Sequence, residues 1–397
     1  MRIQDFGLTI LMVSSGDRIL REPISNEVSR HIAYADRAGE LQMLVFSNPA
    51  HGLRSTEIRP NLVVHPVHAR NRAEFVVRAV ASGRRICQQS GVDLITTQDP
   101  FDTAVIGTLL ARRFRIPLEI QNHSNFYADS EWARERRGFG MAKRLGRHTL
   151  PRAALLRILN EAERHAYISM GLSSDRIRIL PTPVDVSTFL DAAERARESR
   201  DEIRGAWGLQ SEDVVAIWAG RMVASGPNKR LLFWLDVAAR LAERLASIRF
   251  VLIGDGPQRG ELEAKAEALG IEDRVVFTGP LPNEELPTAF AAADIYMHTS
   301  RHEGFGKVIV EAQAAGLPVV AVNAHGPSSI VVDGVTGFIL EADLGRMADA
   351  VLGLCRSEAM RKQMGEAARE HVRQNYRYEW MVDAIVSAWE ETVGICR

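Results

Sequence analysis

The sequence of 397 residues lacks the marks of several protein classes. Its three cysteines are scattered without a CxxC spacing, which argues against a disulfide framework or a zinc site and favours a reducing compartment. No apolar run approaches the about 18 residues of a transmembrane helix, and the apolar run at residues 8–13 is too short for a signal-peptide core. We therefore expect a cytoplasmic protein.

The sequence also lacks the motifs of several enzyme classes. It has no Asp-x-Asp pair, the arrangement that holds Mg²⁺ or Mn²⁺ against a diphosphate, and no Walker A, HExxH or nucleophile-elbow motif. No nucleic-acid recognition module is present and the isoelectric point is about 6.9, so nucleic acid is not an expected partner. We expect neither a metal site nor a cofactor, and any bound diphosphate must be neutralised by cationic side chains and helix N-termini.

Length and hydrophobic pattern indicate two α/β domains. A chain of 397 residues exceeds a single typical core, and its 46% hydrophobic and 25% charged residues are ordinary for a soluble globular protein. Short apolar strands alternate with helices in both halves, which predicts parallel sheets with right-handed crossovers. The polar stretch at residues 191–205 is the expected boundary, so that residues 1–195 form the first domain and residues 196–376 the second. Doubly wound domains of this kind bind ligands at the carboxyl ends of their strands.

Residues 301–311, Arg-His-Glu-Gly-Phe-Gly-Lys-Val-Ile-Val-Glu, are the most informative segment for function. The segment follows an apolar strand and opens a helix, and such a junction presents backbone N–H groups and the positive end of a helix dipole to a phosphate. Glu303 and Glu311 can accept hydrogen bonds from sugar hydroxyls but repel phosphate. The segment therefore predicts a ligand that is part anion and part polyol, such as a sugar nucleotide. The alternative is that the glutamates merely suit the N-terminus of a helix.

A second segment supplies positive charge. Gly220 and Arg221 directly follow a predicted strand, and Lys229 lies eight residues after Arg221 in a flexible loop. The chain has five lysines against 44 arginines, which makes a lysine in this loop less expected as a random surface residue. The forked guanidinium of Arg221 and the point charge of Lys229 are suited to clamp a diphosphate, and simple solvation at the surface is the alternative.

Three further positions are candidates on weaker grounds. The Gly-Asp-Gly-Pro turn that starts at Gly254 mimics a dinucleotide fingerprint after a strand, but its proline removes an N–H group, and a tight turn bordering the nucleotide is the favoured interpretation. His123 follows a predicted strand, where a structural histidine and a ligand contact are both open. Gly16 follows the first strand and offers N–H groups or simply a turn.

Charge is unevenly distributed along the chain, although the net charge is −1. Residues 1–200 hold 29 arginines and lysines against 22 acidic residues, and the excess is densest at residues 134–157. One interpretation is a solvated helical surface. The other is a patch at residues 132–157 that binds an anionic membrane, at the inner face, or a phosphate-bearing acceptor. Apolar residues interleave with the charges and support the second interpretation: Trp132, Phe139, Met141 and Leu145.

Together, these segments resemble the family 4 glycosyltransferases, or group 1 glycosyl transferases, which are retaining enzymes of GT-B fold. The likeness is specific in the second half, where the family's elements occur in its order across about 160 residues. The matching segments are Pro181-Thr-Pro-Val-Asp185, Gly220-Arg221 with Lys229, Leu252-Ile-Gly-Asp-Gly-Pro257, Glu303-Gly-Phe-Gly with Glu311, Gly316-Leu-Pro-Val-Val320 and Asp333-Gly-Val-Thr-Gly337. In the first half the likeness is looser and rests on residues 93–99, residues 116–117 and His123. Three features depart from the family pattern: the long spacing from Arg221 to Lys229, a single glycine in the first loop, and Ser329 where a glutamate is frequent.

The resemblance implies a fold and a reaction. Two Rossmann-like doubly wound parallel-sheet domains face a cleft, the C-terminal one binds the sugar nucleotide, and a final helix at residues 377–397 packs back on the first domain. The reaction is the transfer of a hexose-type sugar from a UDP-, GDP- or other NDP-sugar to a glycan, lipid-linked or small-molecule acceptor, with retention of the anomeric configuration. Because similar enzymes show no carboxylate nucleophile, attack from the face that the leaving group occupies is expected.

The resemblance also implies roles for residues. The first glutamate contacts the transferred sugar and the second the ribose, which gives these roles to Glu303 and Glu311. Arg221 and Lys229 are expected to stabilise the leaving diphosphate, and His123 is expected beside the sugar across the cleft. The remaining contacts to the nucleotide sugar fall to Gly16, Gly254, Gly304, Phe305, Gly306, Lys307 and Val308.

Other functions stay open at this stage. A nucleotide-sugar epimerase or a glycosyl phosphorylase on a GT-B scaffold is the nearest enzymatic alternative, and an inactive sugar-nucleotide-binding protein is the non-enzymatic one. An NAD-dependent oxidoreductase rests only on the turn at Gly254. The sequence does not specify the donor base, the donor sugar or the acceptor.

Overall fold

The computed structural model describes residues 7–129, 139–223 and 229–396. The chain divides into two compact units: unit 1 is Met1–Pro183 together with Glu379–Arg397, and unit 2 is Val184–Tyr378. Each unit is an α/β fold built on a predominantly parallel sheet, so the predicted fold class is confirmed. The polar stretch taken as the domain boundary lies inside a helix, Ser187–Ala206, that belongs to unit 2. Its polar composition is therefore that of a helix surface.

Unit 1 contains a sheet of eight short strands. They are β1 (Leu8–Ser14), β2 (Gly39–Ser47), β3 (Thr56–Arg59), β4 (Leu62–His68), β5 (Leu94–Thr97), β6 (Leu118–Gln121), β7 (Leu155–Ile158) and β8 (Ile177–Ile179). Their order is β3-β4-β2-β1-β5-β6-β7-β8, and only the β3–β4 pair is antiparallel. Strands β3, β7 and β8 are missing from the sequence prediction because each is short and contains an arginine, whereas the equally short β5 and β12 contain no charged residue.

Three of the helices of unit 1 begin at polar side-chain caps. The helices in this part of the chain are α1 (Arg18–Arg21), α2 (Asn26–Ala38), α3 (Arg72–Gln89), α4 (Asp102–Phe114), α5 (Phe139–Thr149) and α6 (Glu161–Ser169). The side chains of Ser25, Asn71 and Asn160 accept a hydrogen bond from a backbone N–H of the first turn of α2, α3 and α6 respectively. Such caps satisfy N–H groups that have no acceptor inside the helix, and they set where each helix starts.

Unit 2 contains a sheet of six parallel strands. They are β9 (Val214–Ala219), β10 (Ile248–Ile253), β11 (Val275–Gly279), β12 (Ile295–His298), β13 (Val319–Val322) and β14 (Gly337–Leu340). Their order is β11-β10-β9-β12-β13-β14, so the direction of winding reverses between β9 and β12. The central strands β12 and β13 are buried at every residue, as expected for a sheet that is covered on both faces.

The remaining helices cover this sheet and end the chain. They are α7 (Ser187–Ala206), α8 (Leu231–Ala242), α9 (Arg259–Ala268), α10 (Leu286–Ala291), α11 (Lys307–Ala314), α12 (His325–Ile330), α13 (Leu344–Arg356), α14 (Glu358–Asn375) and α15 (Tyr378–Cys396). From Glu379 onward α15 belongs to unit 1, where Trp389 donates from Nε1 to the buried Glu119 Oε2 at 2.8 Å. Among the described residues, no helix combines the length and the apolar character needed to cross a membrane.

Candidate active site

The carboxyl ends of β9 and β12 meet in the middle of the unit 2 sheet. The two strands are parallel neighbours, with Tyr296 paired to Ile217, and the winding reverses between them. Loops that leave such strands in opposite directions open a crevice, and doubly wound sheets bind their ligands there. Gly220 and Arg221 leave β9 at this point, and residues 299–306 leave β12 beside them. The fold thus brings together two segments that the sequence marks as candidates.

Lys229 and Glu303 form a short ion pair at this crevice. The Lys229 Nζ lies 2.6 Å from Glu303 Oε2, and the two side chains are 19% and 18% exposed. The buried His298, at the end of β12, places its Nε2 3.6 Å from the same carboxylate oxygen. Burial opposes the ionisation of Glu303, but His298 and Lys229 outweigh it and lower the pKa of Glu303 to about 2. Glu303 is therefore an anion at neutral pH.

The loop that carries Lys229 is fixed to β12 by hydrogen bonds. The buried Thr299 donates from Oγ1 to the carbonyl oxygen of Lys229 at 2.8 Å. Arg230, which follows, adopts a left-handed conformation (φ 50°, ψ 43°) at the start of α8. One turn later, Trp234 donates from Nε1 to the carbonyl oxygen of Met297 at 3.0 Å and attaches α8 to β12. Long-range contacts, rather than the local sequence, therefore place the Lys229 ammonium.

A sharp turn at Gly306 joins Glu303 to the start of α11. Gly306 has a φ of 94°, and a Cβ there would lie 3.4 Å from Glu303 Cγ. Behind the turn, the N–H of Gly326 donates to the carbonyl oxygen of Glu303 at 3.0 Å, and a Cβ on Gly326 would come within 2.7 Å of that oxygen. The Phe305 side chain is 4% exposed, so it contributes packing and only its backbone lies at the turn. Gly306 is favoured by its left-handed backbone, and Gly326 is needed because a Cβ there would clash with the carbonyl oxygen of Glu303.

Glu311 lies one turn into α11 in a contrasting environment. Burial raises the pKa of Glu311 to about 7, although Lys307 on the same helix acts in the opposite direction. Burial, together with the charges of Glu303 and Glu311, raises the pKa of the Tyr296 phenol far above its ordinary value. Both carboxylates are therefore close enough to interact with one buried phenol of β12, and only Glu303 is fully ionised near pH 7.

Cations surround the crevice. Arg221 is exposed directly after β9 and forms no ion pair with any residue in the described part of the chain. Lys307 is exposed at the first position of α11, where helix geometry leaves N–H groups without an intrahelical acceptor. With Lys229, these residues bring positive charge to the same end of the sheet as Glu303 and Glu311. The arrangement suits a ligand that combines a polyanion with hydroxyl groups.

The turn at Gly254 has a packing role. Gly254 has a φ of 125°, and a Cβ there would lie 1.9 Å from the carbonyl oxygen of Gly220. Its N–H donates to the carbonyl oxygen of Gly279 at 2.8 Å, so this group is already used by the protein. The glycine is required because the loops after β9 and β10 approach each other closely. A contact between Gly254 and a nucleotide stays a prediction.

His123 and Gly16 belong to unit 1, at the carboxyl ends of β6 and β1. The exposed His123 donates from Nε2 to Gln121 Oε1 at 2.9 Å, and Thr182 Oγ1 lies 3.5 Å from its Nδ1. A Cβ on Gly16 would meet no atom within 4 Å, and its φ is not positive. Neither backbone strain nor packing explains the glycine at this position.

A buried carboxyl group holds the loop that carries His123. Glu163, on α6, accepts hydrogen bonds from Asn122 Nδ2 at 2.5 Å and from the backbone N–H of Ala128 at 2.9 Å. Burial raises the pKa of Glu163 to about 7, against the hydrogen bonds that favour its ionised form. Sequence reasoning missed this residue, because a glutamate in the first turn of a helix is ordinary.

The predicted basic stretch is divided in the structure. Four of its members lie outside the described residues: Trp132, Arg134, Arg136 and Arg137. The prediction of a surface charge is wrong at Arg157, which is 2% exposed within β7. Its guanidinium donates to the carbonyl oxygens of Leu180 and Pro181 at 2.8 and 3.1 Å. The error follows from the missing prediction of β7, since a strand residue was treated as part of a helical surface.

His298 and Thr299 are site residues that sequence reasoning missed. The available signal was a pair of polar residues at the end of an otherwise apolar strand, which is where doubly wound sheets present their functional groups.

A metal site is a separate question. In the part of the chain that the structure describes, no three or more His, Cys, Asp or Glu side chains are grouped to hold a metal ion.

Known proteins share the sequence pattern of both halves. The profile of Glycosyltransferase Family 4 matches residues 31–188, and that of Glycosyl transferases group 1 matches residues 199–371. The chain is 30% identical over 287 residues to alpha-D-kanosaminyltransferase of Streptomyces kanamyceticus, a match that covers 71% of this chain and 72% of that protein. It is 31% identical over 244 residues to D-inositol 3-phosphate glycosyltransferase of Mycolicibacterium smegmatis, covering 59% of this chain and 52% of the relative.

Solved structures share the fold. HepE of Anabaena, in complex with UDP, has a TM-score of 0.76 at 20% identity, with 97% of this chain and all of that chain covered. Sucrose-phosphate synthase of Thermosynechococcus elongatus has a TM-score of 0.78 at 18% identity, with 98% of this chain and all of that chain covered. At such identities the likeness concerns the fold, and the GT-B prediction is confirmed. With the profile matches and the relative from Streptomyces, it follows that the chain belongs to the group 1, family 4 glycosyltransferases.

Proposed function

We propose that this glycosyltransferase moves a hexose-type sugar from a nucleotide-diphosphate sugar to an acceptor hydroxyl, with retention of the anomeric configuration. The observation that carries the proposal is the Lys229–Glu303 ion pair of 2.6 Å beside the start of α11. Glu303, kept ionised, accepts hydrogen bonds from the hydroxyls of the transferred sugar, while Lys229 is placed to meet phosphate oxygens. Glu311, farther along α11, accepts hydrogen bonds from the ribose.

The leaving diphosphate gains negative charge as the glycosyl bond breaks. Arg221, Lys229 and the first N–H groups of α11 stabilise that charge, which lowers the barrier without a metal ion. Arg221 is exposed and has no acidic partner among the described residues, so it can bind a phosphate without first breaking an ion pair. Lys229 must share its ammonium between Glu303 and the phosphate.

Retention is proposed to proceed by attack on the face that the leaving group occupies. A double displacement requires a carboxylate that attacks the anomeric carbon. Glu303 is the nearest candidate, but its carboxylate is bound by Lys229 and approached by His298, an arrangement that suits hydrogen bonding to hydroxyls. The acceptor hydroxyl therefore attacks directly and passes its proton to the departing phosphate.

The donor is proposed to be a UDP-sugar, with GDP- and other NDP-sugars as the next choices. Structures of the same fold include HepE with UDP and with UDP-glucose, which supports this order. The acceptor is a glycan, a lipid-linked sugar or a small molecule, and the name of the inositol 3-phosphate relative favours a small hydroxylated molecule. The open space at Gly16 and the exposed His123 support roles near the phosphates and the sugar. The proposed location is the cytoplasm, with peripheral contact at the inner face of a membrane.

Thermal shifts with nucleotide sugars test the donor half of the proposal. A ligand that binds the native state raises the unfolding midpoint, so UDP-, GDP-, ADP- and dTDP-sugars are compared at equal concentration. The expected result is a rise with one base, reduced in an Arg221→Gln variant and retained in Arg240→Gln, which changes an exposed arginine on α8. If no nucleotide sugar shifts the midpoint, the proposal is contradicted.

Product analysis separates the proposal from its alternatives. Incubation with the donor alone is expected to give slow hydrolysis to a free sugar; an epimerised nucleotide sugar indicates an epimerase, and phosphate-dependent formation of a sugar phosphate indicates a phosphorylase. Donor binding without any turnover across an acceptor panel indicates an inactive binding protein. Nuclear magnetic resonance of the product reports the anomeric configuration. A trapped covalent glycosyl-enzyme adduct contradicts the direct attack.

A further inference from the structure

Helices α4 and α5 of unit 1 border a cavity of about 510 Å³ near the amino end of β6. The carboxyl end of the same strand leads to His123, so the cavity lies at the opposite edge of the sheet from that residue. Aliphatic side chains supply most of its lining: Leu109, Ala111, Ile116, Pro117, Leu118 and Ala154. Thr108 and three basic side chains complete it: Arg112, His148 and Arg152. An apolar cavity bordered by basic groups suits an anionic amphiphile.

In the two described segments that border the cavity, residues 103–118 and 139–157, every charged side chain is basic. The exposed cations of these segments are Arg112, Arg113, Arg115, Arg144, Arg147 and Arg152, and none of them forms an ion pair with a residue in the described ranges. Three arginines at the end of α4 therefore belong to this basic surface together with the basic residues of α5. Arg157 does not belong to it, because its side chain is buried.

Large apolar side chains are exposed on the same surface. Met141 on α5 is 79% exposed, and Leu109 on α4 is 49% exposed. Met141 and His148 are seven residues apart and lie on one face of α5, so the apolar residue and the basic border of the cavity face the same way. Exposed apolar residues among arginines are typical of helices that lie in the interface of an anionic membrane.

We propose that this α4–α5 surface, formed by Leu109, Arg112, Met141, His148 and Arg152, docks on an anionic phospholipid membrane and takes hydrocarbon of one lipid into its cavity. The arginines meet lipid phosphates, while Leu109 and Met141 enter the boundary between headgroups and acyl chains. The inference deepens the peripheral membrane contact of the proposed function and does not depend on the transfer reaction. A membrane is the expected partner because the basic groups border an aliphatic cavity, which a soluble phosphate would leave empty.

Sedimentation of the full chain with vesicles tests the proposal. The protein is expected to be retained by vesicles of equimolar phosphatidylglycerol and phosphatidylcholine, less so at high salt, and not by phosphatidylcholine alone. Each basic residue at such a surface strengthens binding about fivefold, so Arg112→Gln with Arg152→Gln is expected to weaken it about 25-fold. The matched control, Arg84→Gln with Arg85→Gln, removes two exposed arginines from α3 of the same unit and is expected to bind as the wild type does. Leu109→Gln is expected to weaken retention without changing charge.

Three results would overturn the proposal. They are equal retention by both kinds of vesicle, equal binding by the test and control variants, and displacement from vesicles by soluble glycerol phosphate, which would indicate a site for a free phosphate. Thermal shifts with nucleotide sugars are measured on the same variants and are expected to match the wild type. A variant that loses vesicle binding but keeps donor binding is therefore changed only at the α4–α5 surface. Absence of donor binding in the wild type would instead contradict the proposed function and leave the membrane proposal untouched.

Discussion

Lys229 and Glu303, 74 residues apart in the sequence, form an ion pair of 2.6 Å at the junction of β12 and α11. The cation expected at the diphosphate and the carboxylate expected at the sugar are therefore in direct contact before any ligand arrives. The long spacing from Arg221 to Lys229 does not prevent this contact, because Thr299 fixes the Lys229 backbone to the end of β12. A donor must compete for both groups at once, which couples sugar binding to phosphate binding.

Replacement of Glu303 tests its role at the transferred sugar. Glu303→Gln keeps the shape of the side chain but removes the charge, and we expect turnover to fall about tenfold or more, since interactions of this kind act in the transition state. The measurement is the initial rate with the preferred donor. The unfolding midpoint is expected to stay near that of the wild type, and Glu263→Gln, an exposed glutamate of α9, is the control. A wild-type rate in Glu303→Gln contradicts the assignment.

Removal of the Lys229 ammonium is expected to change the acid stability of unit 2. The pKa of Glu303 is lowered from 4.5 to about 2, so its ionised form stabilises the native state above pH 4.5, and that stability is lost as the pH falls toward 2. Lys229→Met raises the pKa of Glu303 and moves this loss to higher pH. Midpoints measured between pH 2 and pH 6 check the shift. Lys265→Met, which breaks the more exposed Lys265–Asp236 pair, is expected to leave the profile nearly unchanged.

Glu311 is expected to give the opposite pH dependence. Because burial raises its pKa from 4.5 to about 7, the native state holds a proton that the unfolded state has lost, and stability falls as the pH rises between these values. Glu311→Gln removes this dependence, so its midpoint falls less than that of the wild type between pH 5 and pH 7. Weaker binding of the nucleotide is also expected, if Glu311 contacts the ribose. Identical midpoint profiles for the two proteins contradict the shift.

Gly254 is expected to tolerate no side chain. Gly254→Ala places a Cβ 1.9 Å from the Gly220 carbonyl oxygen at a φ of 125°, and we expect a loss of more than about 2 kcal/mol of stability. Gly260→Ala on α9 is the control, because a Cβ there meets no atom within 4 Å, and alanine in a helix stabilises by about 0.4–1 kcal/mol. Denaturation midpoints of the two variants are expected to move in opposite directions.

Trp389 is expected to hold α15 on unit 1 through Glu119. Trp389→Phe removes the N–H that donates to Glu119 Oε2 at 2.8 Å in a fully buried site. Because the Glu119 carboxylate then loses this hydrogen bond, we expect the free energy of unfolding to fall by about 1–3 kcal/mol. Trp380→Phe, at a position that is 52% exposed on the same helix, is expected to change stability by less than about 0.5 kcal/mol. Equal midpoints for the two variants contradict the role of the buried hydrogen bond.

The sequence predicts the fold class and the local chemistry of the site to a useful extent. Residues 301–311 follow directly on β12 and contain two glycines and both glutamates within one short segment, so their relation follows from chain connectivity. Strands β3, β7 and β8 were not predicted because each is short and interrupted by an arginine, and without β7 the burial of Arg157 could not be predicted. The helix that spans residues 191–205 was not predicted for a different reason, because its polar composition resembles that of an interdomain linker.

The sequence by itself therefore determined the family, the two α/β units and the candidate segment around Glu303, because each depends on motifs or periodicities that short stretches of chain contain. Only the tertiary structure decided that Lys229 contacts Glu303, that His298 lies beside them, and that their pKa effects set Glu303 apart from Glu311. The physical reason is that the pairing of β9 with β12 is long-range, and distances, burial and charge at their carboxyl ends follow from that pairing.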